Sequence, residues 1–376
     1  MTMRMTVEQA TAVLPPSTDH RDQLLSKLRG QTAHIPDLKS IFADWKGVRH
    51  LHISPWVEHL RKTVDDRIQR LGFSHVKQKR LKNSDFALFT ALWWPEASLE
   101  RLQILSYLII WLFTWDDEID EPIGAYSEDL GGAQAYRDQT LRFVGEWMGL
   151  VSNHSFSNHH PYPLNGVVQS FDVIGSALRP CYDAGQSRRF FSEISRFMKA
   201  SEAEQLARLR GEVPTMDEYW AFRLGASAVY ITSAVGEYSM ATRLPAEIMG
   251  SVAMRELWDE TNIIISITND LLSLRKEIRL GCIDSFVPLT FASTQDIDEA
   301  VSLAVTALRA SKARFDQAAQ SLLTMTGVTK DIHKQVEDFI QIQRSNCVGN
   351  LVWSLETQRY DVSGVIKKDR SLQVIL

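Results

Sequence analysis

The chain has 376 residues, of which 44% are hydrophobic and 23% are charged, with 41 Lys and Arg against 46 Asp and Glu. This balance is typical of a globular protein with a large core and excludes a disordered chain. The net charge of −5 and the lack of a dense basic cluster in the sequence argue against nucleic-acid binding.

The cysteines and the N-terminal composition indicate the cellular compartment. Cys181, Cys282 and Cys347 are far apart and form neither a disulfide framework nor a zinc spacing, which favours a reducing environment. Residues 1–16 lack the apolar stretch of a secretory peptide. The longest apolar run is shorter than the roughly 20 residues that span a bilayer. We therefore expect a cytoplasmic protein without a membrane span, and the sequence leaves a homodimer open.

Helical periodicity dominates from residue 55 onward, and the alternation typical of strands is scarce. Residues 1–30 are polar and are predicted to be a flexible N-terminal tail, followed by one all-α domain, a helical bundle, over residues 31–376. Gly281 is predicted to cap a helix, and the histidine-rich segment 154–163 to be a solvated loop. The predicted helices are 55–72, 84–94, 98–117, 133–150, 164–179, 187–210, 215–223, 227–241, 246–279, 295–323 and 329–358.

An acidic segment, Asp116-Asp117-Glu118-Ile119-Asp120, follows directly from the apolar run 104–115. A helix that is apolar on all sides is buried, so these carboxylates are expected at the mouth of a hydrophobic interior. Asp116 and Asp120 are four positions apart and share a helix face at about 6 Å. Carboxylates that repel each other in this way favour a hard cation such as Mg²⁺. On its own, the segment is explained equally well as a charged helix end that meets solvent.

A second line of oxygen-bearing side chains lies in the predicted helix 246–279. Asn269, Ser273 and Glu277 are spaced four apart and therefore share one face of an otherwise apolar helix. Their amide, hydroxyl and carboxylate oxygens suit an octahedral Mg²⁺ that keeps water and phosphate oxygens in its other positions. Lys276 lies beside this line, where its ammonium can reach a phosphate. A polar stripe that faces solvent explains this triplet alone equally well. Two rows of oxygen-bearing side chains, each in an apolar helix, are harder to explain as solvent-facing stripes.

The spacing of these motifs resembles that of class I terpene synthases. The acidic segment is similar to their DDxx(D/E) motif, and residues 269–277 match their NDxxSxx(R/K)E motif. The family has a diphosphate-sensing arginine 46 positions before the Asn of the second motif, where this chain has Arg223. It also has a C-terminal Arg-Tyr pair preceded by a tryptophan, which Arg359, Tyr360 and Trp353 fit. The resemblance extends over nearly the whole chain and is closest to fungal sesquiterpene cyclases.

The resemblance implies a class I terpenoid synthase bundle with a central active-site cavity, a cluster of three Mg²⁺ ions and a prenyl diphosphate substrate. Asp117 points about 100° away from Asp116 and is expected to pair with an arginine or to support the residues around the metal ions. The implied metal ligands are Asp116, Asp120 (the weaker assignment), Asn269, Ser273 and Glu277. The residues implied to hold the diphosphate are Arg223, Lys276, Arg359 and Tyr360.

Aromatic side chains near the motifs are expected to line the cavity, because aromatic faces stabilise cations. Phe113 lies one turn before Asp116, and Trp353 has the corresponding place before Arg359. Most other aromatic residues are expected in the core. The weaker cavity candidates are Trp94, Phe89 and Phe222.

The sequence departs from the family after Arg223. Bacterial relatives often have an acidic residue and then a glycine there, whereas this chain has Ala226 and Ser227, with Gly225 before them. The residue whose carbonyl triggers ionisation is therefore not assigned, although a break between helices is still expected at 224–227.

The sequence predicts a Mg²⁺-dependent carbon–oxygen lyase that ionises farnesyl diphosphate to a cyclic sesquiterpene and diphosphate. A diterpene cyclase that acts on geranylgeranyl diphosphate is the alternative, and cavity volume decides between them. A chain-elongating prenyl synthase is disfavoured because it would carry a second aspartate-rich motif at 269–277. A non-catalytic helical scaffold is a remote alternative, since it gives no reason for the cationic residues.

Overall fold

The computed structural model describes residues 18–45, 53–121, 124–150, 165–325 and 329–376. The histidine-rich segment 154–163 and residues 1–17 of the predicted tail lie outside the described residues. The helices are α1 Thr18–Leu28, α2 Val57–Arg70, α3 His75–Asn83, α4 Phe86–Trp93, α5 Leu99–Asp120, α6 Leu130–Trp147, α7 Gly166–Gln169, α8 Asp172–Leu178, α9 Ala184–Leu209, α10 Met216–Ala226, α11 Val229–Ala234, α12 Gly236–Ser239, α13 Ala246–Met249, α14 Val252–Leu280, α15 Phe286–Thr294, α16 Ile297–Leu323 and α17 Lys330–Glu356.

Helix α5 carries the whole acidic segment. It begins where the Ser98 side chain accepts a hydrogen bond from the Arg101 N–H. Apolar side chains on all its faces are buried, as expected for a helix inside the bundle. It ends at Asp120, since Glu121 has the extended conformation (ψ 140°) that is favoured before proline, and the sequence has Pro122. The helix thus ends three residues later than predicted, and Asp116 and Asp120 lie in regular helical geometry.

Helix α14 is the central element on the opposite side. Its first turn is capped by Ser251, which accepts a hydrogen bond from the Met254 N–H, and this cap separates it from the short α13. It ends at Gly281, whose φ of 80° and N–H bonds to the Glu277 and Ile278 carbonyls confirm the predicted cap. Helix α14 packs against α10, α11, α15, α16 and α17, while α5 packs against α2, α4, α8 and α9. The acidic row and the Asn-Ser-Glu row therefore lie on helices at the centre of the bundle.

The N-terminal region contains ordered structure that composition did not reveal. The prediction of a flexible tail is wrong for residues 18–30, because Leu24 and Leu28 of α1 are buried. The Arg21 guanidinium also forms two hydrogen bonds, of 2.8 and 2.5 Å, to the Asp284 carboxylate. Strand β1, Thr32–Ile35, then pairs antiparallel with β2, Leu372–Ile375, which joins the two ends of the described chain.

Several helix boundaries differ from the predictions because tertiary contacts decide them. Helices α3 and α15 were not predicted: α3 has little apolar periodicity, and α15 contains Pro288. The predicted helices 164–179 and 227–241 are each divided, into α7 and α8 and into α11 and α12. In the part of the chain that the structure describes, no helix combines the length and apolar character needed to cross a bilayer.

Gly225 permits close packing of α10 on α9. A Cβ atom at this position would lie 2.4 Å from Ala200 Cβ, which no side-chain rotation relieves. We expect Gly225→Ala to lower the free energy of unfolding by about 1–3 kcal/mol, measured by urea denaturation. The control is Gly131→Ala in α6, where the nearest atom, Asp129 Oδ1, is at 3.6 Å. Equal stability of the two variants would contradict this account of the α9–α10 contact.

Candidate functional site

One cavity of about 270 Å³ lies between α5, α9, α10, α14 and α17. Its mouth is polar, and its interior is mainly aliphatic and aromatic. The eleven residues that the sequence assigned to the metals, to the diphosphate or to the main aromatic wall all line this cavity: Phe113, Asp116, Asp120, Arg223, Asn269, Ser273, Lys276, Glu277, Trp353, Arg359 and Tyr360.

Asp117 lies on the side of α5 that faces the protein's own cations. Its Oδ1 accepts a hydrogen bond of 3.0 Å from Arg359 Nη2, and its Oδ2 one of 3.2 Å from Arg80 Nη2 of α3. This confirms the expected pairing with arginine. Burial raises the pKa of Asp117, but Arg359 and Arg80 together outweigh it and hold the pKa below its usual value. Asp117 is therefore a neutralised, structural carboxylate.

Asp116 and Asp120 have a different environment, facing the cavity. Asp116 has no hydrogen bond or ion pair with any residue that the structure describes, and burial, Asp120 and Glu204 raise its pKa well above the usual value. Burial raises the pKa of Asp120 to about 6, although Arg208 and Arg137 oppose the shift, and its Oδ1 is buried without a hydrogen-bond partner. Unneutralised oxygens of this kind fit a hard divalent cation.

The row on α14 is connected to two of the predicted diphosphate-binding residues. Asn269 Oδ1 accepts a hydrogen bond of 2.9 Å from Arg223 Nη2, and its Nδ2 donates one of 2.7 Å to the Tyr360 hydroxyl. One turn further on, Ser273 Oγ donates to Glu277 Oε1 at 2.6 Å. Burial, followed by the nearby charge of Asp270, raises the pKa of Glu277. This row too has oxygen atoms suited to a metal ion, and it lies in direct contact with the cationic side chains.

Asp270, to which the sequence analysis gave no role, binds the guanidinium of Arg223. Its Oδ1 accepts a hydrogen bond of 2.8 Å from Arg223 Nη2, and its Oδ2 accepts bonds from the Phe286 N–H, at 2.8 Å, and from the Tyr219 hydroxyl. Burial opposes the charge of Arg223, but Asp270 and neighbouring acids keep the arginine pKa well above its usual value. The guanidinium thus remains a fixed positive charge at the cavity.

The other cations at the mouth, Lys276 and Arg359, are held by Glu121, directly after α5, and by Asp117 in α5. Lys276 Nζ lies 3.8 Å from Glu121 Oε1, which ties α14 to the end of α5. Burial, with the adjacent Arg359, lowers the pKa of Lys276. The Arg359 guanidinium lies 4.9 Å from the centre of the Phe113 ring, a cation–π contact that places it over an aromatic wall of the cavity.

The expected helix break after Arg223 is present. Helix α10 ends at Ala226, Ala228 has a positive φ of 59°, and α11 begins at the next residue. Asn262 of α14 fixes this segment, because its Nδ2 donates to the Leu224 carbonyl and its Oδ1 accepts from Ser227 Oγ, both at 2.7 Å. The sequence analysis missed Asn262, since a single Asn in a helix has no local signature. Gly225 is required for the close packing of α10 on α9, whereas the helix break occurs at Ala228.

Aromatic residues form the wall below the polar mouth. Phe113 and Trp353 have ring centres 5.7 Å apart, and Phe89 lies 5.0 Å from Trp353. Trp93 and Phe197 also line the cavity and were not predicted to do so. Two of the weaker candidates were wrong: Trp94 is buried in the core outside the cavity lining, and Phe222 lies against a separate groove between α9 and α10.

Helix α9 adds two charged residues that the sequence analysis did not select, Glu204 and Arg208. Arg208 Nη2 donates a hydrogen bond of 2.8 Å to the Ile119 carbonyl, so it satisfies the C-terminal end of α5. Glu204 has a pKa raised well above normal by burial and by Asp120. Their spacing of four within a predicted helix is typical of an exposed ion pair, which is why sequence alone did not indicate the site.

The site is suited to metal ions that share their ligands with a substrate. Among the described residues, no three His, Cys, Asp or Glu side chains are grouped so that they could hold an ion by themselves. The oxygen atoms of Asp116, Asp120 and the α14 row are hard ligands, and Mg²⁺ accepts a few protein oxygens together with water and phosphate.

Comparisons with known proteins agree with this geometry. Residues 107–313 match the family model described as terpene synthase family 2, C-terminal metal binding. The chain is 33% identical to the sesquiterpene cyclase hepA of Aspergillus oryzae over 353 residues, covering 92% of this chain and 94% of the relative. It is 27% identical to the silphinene synthase peniA of Penicillium patulum, covering 93% and 92%.

Solved structures support the fold. A germacradien-4-ol synthase from Streptomyces citricolor has a TM-score of 0.66 and 16% identity, covering 81% of this chain and 95% of that chain. A hedycaryol synthase in complex with HEPES has a TM-score of 0.68 and 18% identity, covering 82% and 96%. The all-α bundle described above is therefore the class I terpene synthase fold.

The raised pKa of Asp120 predicts a pH-dependent stability cost. Its folded pKa of about 6 lies above the roughly 3.9 of an unfolded aspartate, so ionisation opposes folding increasingly between about pH 4 and pH 6 and fully above that range. In metal-free buffer we expect Asp120→Asn to raise the melting temperature more at pH 7.5 than at pH 5. Differential scanning fluorimetry checks this, with Asp138→Asn on α6 as the control. An equal or larger gain at pH 5 would contradict the assignment.

Proposed function

The chain belongs to the terpene synthase family, and on that premise we propose that it is a sesquiterpene cyclase that ionises farnesyl diphosphate and releases a cyclic sesquiterpene and diphosphate. The observation that supports this most directly is the single cavity that combines two oxygen rows, four diphosphate-binding candidates and an aromatic interior. An oily chain with a highly charged head is the kind of substrate that such a cavity fits.

The oxygen rows are assigned to metal binding. Asp116, with Asp120 as the weaker ligand, would hold magnesium from α5, and Asn269, Ser273 and Glu277 would hold it from α14; a cluster of three ions is proposed. Magnesium supplies Lewis-acid stabilisation of the negative charge on the departing diphosphate. Asn269 must release Arg223 Nη2 or share its Oδ1 when it ligates a metal, so metal binding and the orientation of Arg223 are coupled.

The cationic residues are assigned to the diphosphate. Arg223 and Arg359 are fixed by Asp270 and Asp117, so their remaining N–H groups are oriented before substrate arrives. Tyr360 is held by Asn269, and Lys276 by Glu121. These donors stabilise the negative charge that develops on the leaving group. This electrostatic stabilisation is strongest in a site closed to water. The Ser227–Ala228 break beside Arg223 is proposed as the point where the backbone meets the allylic end of the substrate.

The apolar part of the cavity determines chain length and folding of the substrate. The whole cavity, polar mouth included, has a volume of about 270 Å³, which is slightly below the roughly 300–1,000 Å³ of typical small-molecule sites and favours the C15 farnesyl chain over the C20 geranylgeranyl chain. The faces of Phe113 and Trp353 are placed to stabilise carbocation intermediates after diphosphate leaves.

The cellular location remains a proposal. Cys181, Cys282 and Cys347 are all unpaired thiols, which suits the reducing cytoplasm. We therefore propose a cytoplasmic enzyme with a small-molecule substrate.

The function is tested by measuring diphosphate release from farnesyl and geranylgeranyl diphosphates with and without Mg²⁺. We expect Mg²⁺-dependent release, faster with farnesyl diphosphate, and a loss of at least about a hundredfold in Asp116→Ala and in Asn269→Ala, because each removes a proposed ligand of the metal ions that stabilise the leaving group. The matched control is Asp66→Ala, an exposed aspartate on α2. Circular dichroism checks that the variants stay folded. Wild-type turnover in either site variant would contradict the metal assignment.

A further inference from the structure

A line of buried polar side chains runs along α17. Gln343, Asn346, Asn350 and Ser354 are spaced by three, four and four residues, so they share one face of the helix, and each is at most 4% exposed. Each has a buried polar atom without a hydrogen-bond partner: Gln343 Nε2, Asn346 Oδ1, Asn350 Nδ2 and Ser354 Oγ. Since buried polar groups are nearly always hydrogen-bonded to protein or to ordered water, these atoms mark positions where water molecules bind inside the protein.

Asn350 is the member of this line that reaches the cavity. It lies on α17 three residues before Trp353, hence about 4.5 Å further from the diphosphate-binding mouth along the helix axis. Its amide forms no hydrogen bond with any residue that the structure describes. The neighbouring cavity wall is aromatic, formed by Trp93, Phe89 and Trp353. An unpartnered amide in such a wall is costly unless something polar binds to it.

Two further buried polar atoms, on Asn346 and Trp93, also have no hydrogen-bond partner among the described residues. Asn346, one turn earlier, donates from Nδ2 to the Trp93 carbonyl at 2.9 Å, which leaves its Oδ1 as an unused acceptor. The Trp93 indole N–H is also buried without a partner, and Trp93 lines the cavity. A water molecule that accepts one hydrogen bond from the Asn350 amide N–H keeps the second lone pair of its oxygen free.

Three hydroxyl groups of the cavity lining are already engaged. Thr232 Oγ1 donates to the Val229 carbonyl at 2.8 Å, and Ser266 Oγ donates to Asn262 Oδ1 at 3.2 Å. Ser227 Oγ donates to the same Asn262 oxygen. Asn350 therefore differs from Thr232, Ser266 and Ser227 in having its side-chain hydrogen-bonding capacity available.

We propose that Asn350 binds a water molecule inside the cavity and that this water captures the final carbocation, so that the main product is a sesquiterpene alcohol. This inference rests on the proposed function. A lone pair of the water oxygen forms the new C–O bond to the cationic carbon, which gives a protonated alcohol. The released diphosphate, a base generated in the same turnover, takes up the proton. No oxidant or further reactant is required.

The test follows the oxygen atom of the product. Purified enzyme is incubated with farnesyl diphosphate and Mg²⁺ in oxygen-18 water, and products are analysed by gas chromatography–mass spectrometry, per mole of diphosphate released. We expect labelled alcohol as the main wild-type product. Asn350→Leu, which keeps the size but loses the amide, should lower the ratio of alcohol to hydrocarbon by about tenfold, as expected for the loss of a hydrogen bond. Thr232→Val, which removes a hydroxyl that is already engaged, should keep the wild-type ratio.

Wild-type products that are all unlabelled hydrocarbons, or an unchanged ratio in Asn350→Leu, would overturn the proposal. Absence of diphosphate release in the wild type would instead count against the proposed function. High-resolution crystal structures of the wild type and Asn350→Leu test the site without any turnover. We expect a water molecule bonded to the Asn350 amide in the former and none there in the latter. An apolar wild-type site without that water would also overturn the inference.

Discussion

The site depends on an electrostatic imbalance at the end of helix α5. Asp117 is neutralised by Arg359 and Arg80, whereas Asp116 on the adjacent cavity-facing side has no partner among the described residues. Burying like charges raises their free energy, and the carboxylates of α5 therefore favour protons or metal cations. The chain neutralises the carboxylate that supports its own structure and leaves the charge that faces the cavity to be compensated by ions. A substrate that arrives with metal ions would therefore compensate the charge of these carboxylates as well as react in the cavity.

The second property of the site is that its parts are connected by hydrogen bonds. Asp270 holds Arg223, Arg223 reaches Asn269, and Asn269 holds Tyr360. Arg359, the covalent neighbour of Tyr360, donates a hydrogen bond to Asp117 of α5. The proposed metal ligand Asn269, the proposed diphosphate-sensing Arg223 and the C-terminal Arg-Tyr pair are thereby oriented by one network before the substrate binds. Catalysis by stabilisation of a departing anion requires such preorganised charges, because reorientation during the reaction would cost much of the benefit.

Sequence reasoning found the residues that have regular spacing and missed those defined by tertiary contacts. The i, i+4 periodicity was sufficient to place Asp116 with Asp120 and Asn269 with Ser273, because both segments are uninterrupted helix. The roles of Asp270 and Asn262 depend on what lies opposite them, so the local pattern carries no signal for either. Composition likewise suggested a loose N-terminus, whereas α1 and the ribbon of β1 and β2 are held by contacts with residues more than 250 positions away.

Calorimetric titration of inorganic diphosphate tests the central claim directly, because it measures binding at the mouth without cyclisation. The account predicts that the protein binds diphosphate only when Mg²⁺ is present, and that Asp116→Ala on one row and Asn269→Ala on the other each weaken this binding by at least about tenfold, as expected when a charged or metal-linked contact is lost. Diphosphate binding that needs no Mg²⁺, or that is unchanged in either variant, would contradict the claim that the two rows form one metal-dependent site.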